Sequence, residues 1–244
     1  MRQDVVPDAA LAAYMERYGR DWTTPQAVRD YVDREESQGP DRYDGLNYLL
    51  AFVPCDRSRE IEVLDLGGGQ GMLAAAFLDH FPAARAIELD VSEPMRDLAV
   101  ERMARYGDRF RYCVGDFVDG VLVGDIPSAV DVVVSTRAIH HLPGPNKAAL
   151  YKDIFDHLKP GGCFFNLDTV APTSDRLAAV YRDASANFRG DRPNPARGDR
   201  PALPGHYYEP AEAHLASLKV AGFNPVDLFW KQMNMTLIGG FKPA

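Results

Sequence analysis

The sequence predicts an α/β fold, a mostly parallel sheet with helices on both faces. Three observations carry this reading. Short apolar runs alternate with longer amphipathic ones along most of the 244 residues. The short runs are rich in β-branched and aromatic residues, as buried strands are. Their spacing suits right-handed strand–helix–strand units, which bury a parallel sheet on both sides.

In chain order, the strands are IEVLDL (61–66), RAIEL (85–89), RFRYCV (109–114), VDVVVS (130–135) and CFFNLD (163–168). Helical patterns lie between them: MLAAAFLDHF, EPMRDLAVERMARY and NKAALYKDIFDHL. LKPGG (158–162) reads as a Pro-Gly turn feeding the fifth strand. After it, AEAHLASLKVAGF reads as a helix, and DLFWK and MNMTLIGG as an antiparallel pair closing the sheet edge.

The first sixty residues differ in kind. Thr24 is placed to cap a helix with Pro25 at its first position, and Asp41 precedes another helical run. Tyr14, Tyr18, Trp22, Tyr31, Tyr43 and Tyr48 crowd this region. They fit either a helical appendage packed on the sheet or a lid over a ligand cleft. A second irregular stretch, 186–210, is dense in Pro, Gly and Arg; a loop of that length in a compact domain has a function or no fixed structure.

The chain is 46% hydrophobic and 25% charged, enough apolar material for one large core, so collagen-like and disordered classes drop out. Acidic residues outnumber basic ones, 35 to 27, for a net charge of -8, a field that repels nucleic-acid phosphates and anionic membrane surfaces. Cys55, Cys113 and Cys163 are odd in number and far apart, which points to buried thiols in a reducing compartment and to neither a disulfide frame nor a metal site. With no apolar leader or spanning run, the expectation is a cytoplasmic protein with no membrane or nucleic-acid partner.

The most informative segment is VLDLGGGQGM (63–72). A strand ends near Asp65, Gly67, Gly69 and Gly71 follow at alternate positions, and a helix begins. Such glycines are needed where the chain turns with positive φ and where a ligand must touch bare backbone. Met72 stands where a dinucleotide fingerprint would place its third glycine, and no Gly-Lys-Ser/Thr follows, so neither that motif nor a P-loop fits. Asp90 ends the second strand nineteen residues after Gly71, where a carboxylate can accept from both hydroxyls of a ribose; Glu88 is its competitor. Asp116 and Phe117 close the third strand, and an acid followed by an aromatic can accept from an exocyclic amine and pack on a purine.

Together these residues resemble the class I S-adenosylmethionine-dependent methyltransferases, small-molecule branch. The resemblance covers residues 60–168 and is supported by VAGFNPVDLFWK and the closing strands. It implies a Rossmann-like, seven-stranded, mostly parallel sheet with an antiparallel edge strand. It also implies an N-terminal helical cap over 1–58, part of the same domain, and a methyltransferase domain over 59–244 with a substrate-lid insertion at about 170–210. By the same resemblance, Asp65, Gly67, Gly69 and Gly71 run beside the methionine part of S-adenosyl-L-methionine. Asp90 holds the ribose, Asp116 and Phe117 meet the adenine, and Ser135 flanks the methyl group. The product cofactor would be S-adenosyl-L-homocysteine.

Methyl transfer from a sulfonium is an in-line displacement in which alignment is worth about 7–11 kcal/mol and a general base roughly 3–5 kcal/mol. A base is therefore optional. If one acts, it is His140 or His141 in STRAIHHLPG, with His140 preferred; the alternative for both is local packing and turn capping. The fourth strand ends in Ser135-Thr136-Arg137-Ala138, which lacks the Asn/Asp-Pro-Pro-Tyr of base-amine methyltransferases, and no carboxylate cluster there fits a catechol-type magnesium site. That leaves a small-molecule acceptor at an O, N or C atom, with a homodimer as a possible assembly. Arg189, Arg192, Arg197 and Arg200 are candidates for binding an acidic group on it. Two other readings stay open: a protein of the same fold doing carboxymethyl transfer, cyclisation or decarboxylation, and a nicotinamide-dependent oxidoreductase.

Overall fold

The computed structural model describes residues 9–36, 44–189 and 205–244. Asp41, Tyr43, Arg192, Arg197 and Arg200 lie outside them. Three helices come first, α1 (Ala9–Tyr18), α2 (Pro25–Glu36) and α3 (Asp44–Phe52). Then β1 (Glu62–Leu66), α4 (Met72–His80), β2 (Arg85–Asp90), α5 (Glu93–Met103) and β3 (Phe110–Val114) alternate, followed by β4 (Val130–Thr136), α6 (Gly144–His157) and β5 (Leu158–Thr169). The chain ends with α7 (Asp175–Arg189), α8 (Ala211–Ala221), β6 (Val226–Gln232) and β7 (Met235–Phe241).

The strands form one seven-stranded sheet in the order β3-β2-β1-β4-β5-β7-β6. β1 to β5 pair in parallel, and β7 runs antiparallel to both β5 and β6. The antiparallel member thus lies one place in from the edge, and β6 forms the edge itself. Strand alternation sends successive side chains to opposite faces. Leu64, Leu66, Ile87, Leu89, Val133 and Phe164 pack under α6 and α8, against Leu150, Tyr151, Ile154 and Leu218. Val63, Val132, Val134 and Phe165 face the other way, onto Leu73, Phe77 and Leu78 of α4 and onto Leu49, Leu50 and Val53 around α3. Each such Leu or Phe, fully buried, contributes about 1.5–3 kcal/mol of transfer free energy.

α3 is therefore one of the helices covering the sheet, and only α1 and α2 remain as a cap. Thr24 caps α2 as expected, its Oγ1 accepting from Ala27 N–H at 3.3 Å. Val28 and Val32 of α2 pack on Met95 of α5, which seats the cap beside β2 and β3. The LKPGG turn is absorbed into β5. Val130 pairs with Leu158 and Val132 with Cys163, so the four residues between bulge out, with Gly161 at φ +77°. The helix α7 continues to Arg189, four residues into the stretch expected to be irregular. Among the described residues, no helix is long and apolar enough to cross a membrane.

Candidate functional site

The strand order reverses between β1 and β4, and a crevice opens above their carboxyl ends, as open α/β sheets dictate. The empty space in and at the open mouth of this cleft is about 670 Å³. Its floor is the turn after β1. Gly67, Gly69 and Gly71 sit at φ +68°, +65° and +82°, conformations that L side chains rarely adopt. A Cβ on Gly67 would lie 2.4 Å from the Ala138 Cβ, so that glycine is needed for close packing of the turn on the loop after β4. A Cβ on Gly69 would meet nothing nearer than the Met95 Sδ at 3.8 Å, so its backbone faces open cleft. Gly71 starts α4 and presses on Met103; it does not line the cleft.

Beneath this turn lie two carboxyls. Asp65 and Glu88 are register partners in β1 and β2, both wholly buried and without a hydrogen-bond partner. Burial, and then the charge of Asp90, pushes Asp65 up to about 8; burial, and then Asp65, pushes Glu88 well up. Burial thus favours the protonated form of both. They fill the space that a side chain at position 68 would need, 2.7 Å from the Glu88 Cδ and 2.8 Å from the Asp65 Oδ2, and neither reaches the cleft.

Asp90 does reach it. Two residues beyond Glu88, it stands past the last β1–β2 pair, Leu66–Leu89, and walls the cleft. Its Oδ2 accepts from Gly69 N–H at 3.0 Å and its Oδ1 from Ser92 N–H at 2.9 Å. Burial raises its pKa and those N–H groups pull it back, leaving it at about 6 and ionised at neutral pH. Asp116 and Phe117 wall the adjoining side. The Asp116 Oδ1 accepts from the N–H groups of Phe117 at 2.6 Å and Val118 at 2.9 Å, and its Oδ2 from the Tyr18 hydroxyl at 2.7 Å. The same carboxylate thus caps its own turn and ties α1 to the sheet.

Ser135 falls elsewhere. Its side chain is fully buried and donates to the Leu66 carbonyl at 2.8 Å, knitting β4 to β1 below the cleft. The wall at this point is Thr136, Arg137 and Ala138. Arg137 has φ +57° and reaches Glu35 of α2 at 2.5 Å, an ion pair whose carboxylate is buried. From the cap, Tyr18, Trp22 and Tyr31 line the cleft, while Tyr48 stacks on Trp230 at 6.0 Å, away from it.

His140 and His141 form a short 3-10 turn after β4. His140 is buried, and Asp168 at the end of β5 grips it twice: the Oδ2 accepts from its backbone N–H at 2.9 Å, and the Oδ1 lies 2.7 Å from its Nδ1. Burial alone would raise Asp168, but the His140 ring and the N–H donors outweigh it and hold the carboxyl at about 2. Of the two histidines, His141 is the one on the cleft wall. Its Nδ1 lies 2.7 Å from the Gly205 carbonyl, and burial, followed by His140, lowers it to about 3. It is neutral at physiological pH and takes up a proton poorly. Of the aromatics read from the sequence as a possible lid, Tyr18, Trp22 and Tyr31 line the cleft, whereas Arg137 and Asp168 were not singled out. Arg137 stands in the quoted STRAIHHLPG and Asp168 ends CFFNLD, so the only signal was their place at strand ends.

Comparison with known proteins agrees with this geometry. The family described as "Methyltransferase domain" matches residues 63–162, which span β1 to the start of β5. An uncharacterized methyltransferase of Geobacillus thermodenitrificans is 30% identical over 155 residues, 64% of this chain and 67% of that protein. The mitomycin biosynthesis 6-O-methyltransferase of Streptomyces lavendulae is 28% identical over 131 residues, 52% of this chain and 36% of its own length. In fold, human N-acetylserotonin methyltransferase superposes with a TM-score of 0.65 at 16% identity, covering 98% of this chain and 61% of that one. The chain thus spans about a third of the length of the mitomycin relative and under two thirds of the human enzyme. On the sequence match and the glycine turn, the chain belongs to the class I S-adenosylmethionine-dependent methyltransferases.

Proposed function

We propose that the protein transfers a methyl group from S-adenosylmethionine to a small-molecule acceptor, with oxygen as the acceptor atom. The charge and shape of the cleft carry this reading. Asp90 presents an anion beside the bare backbone of Gly69, with three cap aromatics opposite, while the arginine of the wall, Arg137, is already paired with Glu35. Such a wall suits a cation with a ribose: a carboxylate for the sugar hydroxyls, and π faces, with no uncompensated positive charge. When bound, S-adenosylmethionine supplies the electrophilic sulfonium methyl. In this chain, Gly69 would lie along its amino-acid part, Asp90 would accept from its ribose, and Asp116 with Phe117 would flank its base. Asp65, Gly67 and Gly71 shape the turn from behind.

Tyr18, Trp22 and Tyr31 close one side of the cleft and help to exclude water from it, the condition under which alignment contributes most. Oxygen as acceptor rests on the named activity of the mitomycin relative. A cytoplasmic setting rests on the three unpaired thiols, and a homodimer on the open edge of β6 beside the exposed Tyr48. The substrate lid over 170–210 and the cap remain part of this proposal. Calorimetric titration with S-adenosylhomocysteine and with NAD tests it. Binding of the first and not the second is expected, and the reverse would overturn the reading. Label from methyl-labelled S-adenosylmethionine should then appear in the small-molecule fraction of an extract; label confined to protein or nucleic acid would refute the acceptor class.

A further inference from the structure

His140 and His141 meet a third histidine, His206, brought in from 65 residues down the chain. One ring nitrogen from each lies within 4.8 Å of those from the other two. The ring centres are 4.2 Å apart for His140–His141, 4.5 Å for His141–His206 and 5.2 Å for His140–His206. Three imidazoles on a tetrahedral zinc, at bond lengths of about 2.0–2.1 Å, have nitrogens roughly 3.4 Å apart and ring centres about 5 Å apart. The cluster stands within a small side-chain adjustment of that tripod.

The outer contacts also fit. A metal-bound histidine almost always engages its other nitrogen with a carboxylate or a backbone carbonyl. Here the His140 Nδ1 is held by Asp168 and the His141 Nδ1 by the Gly205 carbonyl, each at 2.7 Å, which leaves Nε2 on both rings as the ligating nitrogen. The strand of chain carrying His206 is pinned on both sides. Tyr207 N–H donates to the His140 carbonyl at 2.7 Å, Ala171 N–H to the Glu209 carbonyl at 2.9 Å, and the buried Lys147 ammonium bonds both the Tyr207 carbonyl and, at 2.9 Å, the Glu209 carboxylate. Gly19, at the end of α1, packs so closely on His141 that a Cβ there would lie 2.5 Å from its Nδ1. A packing role alone would not require a carboxylate, a carbonyl and a buried ammonium all fixing the orientation of one cluster.

We infer that His140, His141 and His206 form a three-histidine site for a divalent transition-metal ion of the zinc type, with an open position towards the cleft. The opening is on the cleft side because His141 is itself part of the cleft wall. Three neutral protein ligands and an open fourth position are the pattern of a site that takes a water or substrate oxygen. Resting on the methyltransferase reading, the ligand class is an acceptor bearing a hydroxyl or phenol. The ion lowers the pKa of that O–H, as zinc does for water, and its proton passes to solvent, leaving an oxygen lone pair for the methyl carbon. The two histidines then act as ligands, and neither serves as the general base.

The test uses the full chain after chelator treatment, titrated with Co²⁺ and followed by visible absorption, with S-adenosylhomocysteine calorimetry on the same samples. One Co²⁺ per chain with the intense visible bands of a four- or five-coordinate ion is expected, displaced by Zn²⁺. His206→Gln and His140→Gln should each weaken binding at least 100-fold, and Asp168→Asn by about 10–100-fold. S-adenosylhomocysteine binding should persist in His206→Gln, which reports that this variant is folded. Absence of the visible bands, or Co²⁺ affinity unchanged in both His206→Gln and His206→Ala, would overturn the site. Co²⁺ binding without S-adenosylhomocysteine binding would leave the metal site standing and remove the methyltransferase reading.

Discussion

Asp90→Asn separates the work of one carboxylate into two measurable parts. Asp90 is held at about 6 against an ordinary 3.8, mainly by burial, so at neutral pH its ionisation costs the folded state about 3 kcal/mol. The amide removes that cost. It also puts an NH₂ where one of two N–H donors, Gly69 or Ser92, now finds an acceptor, and an unsatisfied buried donor costs about 1–3 kcal/mol. The two nearly cancel, so thermal stability at pH 7 should change by no more than a few degrees. Binding does not cancel. The ligand loses a charged acceptor for its ribose hydroxyls, about 1.5–3 kcal/mol, or roughly 10- to 150-fold in S-adenosylhomocysteine affinity. Differential scanning calorimetry and isothermal titration on the same preparations read the two parts. An affinity within threefold of the parent at unchanged stability would refute the assignment of Asp90 to the ribose.

The same carboxylate fixes a pH dependence. Since the ligand needs the ionised form, S-adenosylhomocysteine affinity should be flat above pH 7 and fall about tenfold per pH unit below about 6, a fall that Asp90→Asn abolishes. Asp65, held near 8 by burial and then by Asp90, has a folded-state pKa above its unfolded one. Its favourable contribution is complete below about pH 4 and is lost as pH rises through 8. Urea midpoints of the parent should therefore decline across that window by several kcal/mol equivalent, and those of Asp65→Asn should decline less; parallel profiles would count against a neutral buried carboxyl. Arg137→Ala removes the cation paired with the buried Glu35 carboxylate and should destabilise the protein, read as a fall in urea midpoint; no change would mean that the cap is not held by this pair. Gly67→Ala, with its Cβ 2.4 Å from Ala138, should fail to give folded protein, whereas Gly69→Ala should fold at a cost of about 1 kcal/mol and lose ligand affinity. Equal behaviour of the two would contradict the floor described for the cleft.

The legible parts of this fold were those whose cause is local. Strand runs, helix periods and the glycine turn follow from a few neighbouring residues, and all five parallel strands lie where their sequences put them. Asp90 could be separated from Glu88 only by register: Glu88 pairs with Asp65 beneath the turn, while Asp90 stands one step past the last paired residue. Ser135 was misplaced for a similar reason. One position decides whether a residue at the end of β4 faces the Leu66 carbonyl or the cleft, and the sequence does not mark which. The LKPGG bulge was invisible because it depends on where β4 pairs. His206 could not be found at all, since its proximity to His140 is set by Lys147, Glu209 and Ala171 across the chain and by no spacing or motif. The cap aromatics were visible as a cluster, but which of them face a ligand was settled only when α2 docked on Met95.

The central claim is that one cleft, floored by Gly67 and Gly69 and walled by Asp90, Asp116 and Phe117, holds S-adenosylmethionine with its methyl group towards His141. A crystal structure of the chain with S-adenosylhomocysteine tests this most directly. The account predicts the ribose hydroxyls within hydrogen-bond distance of the Asp90 carboxylate, the adenine beside Phe117 and the sulfur nearer to Arg137 and His141 than the base is. A ligand bound elsewhere, or with its adenine at His141 and its sulfur at Phe117, would contradict it.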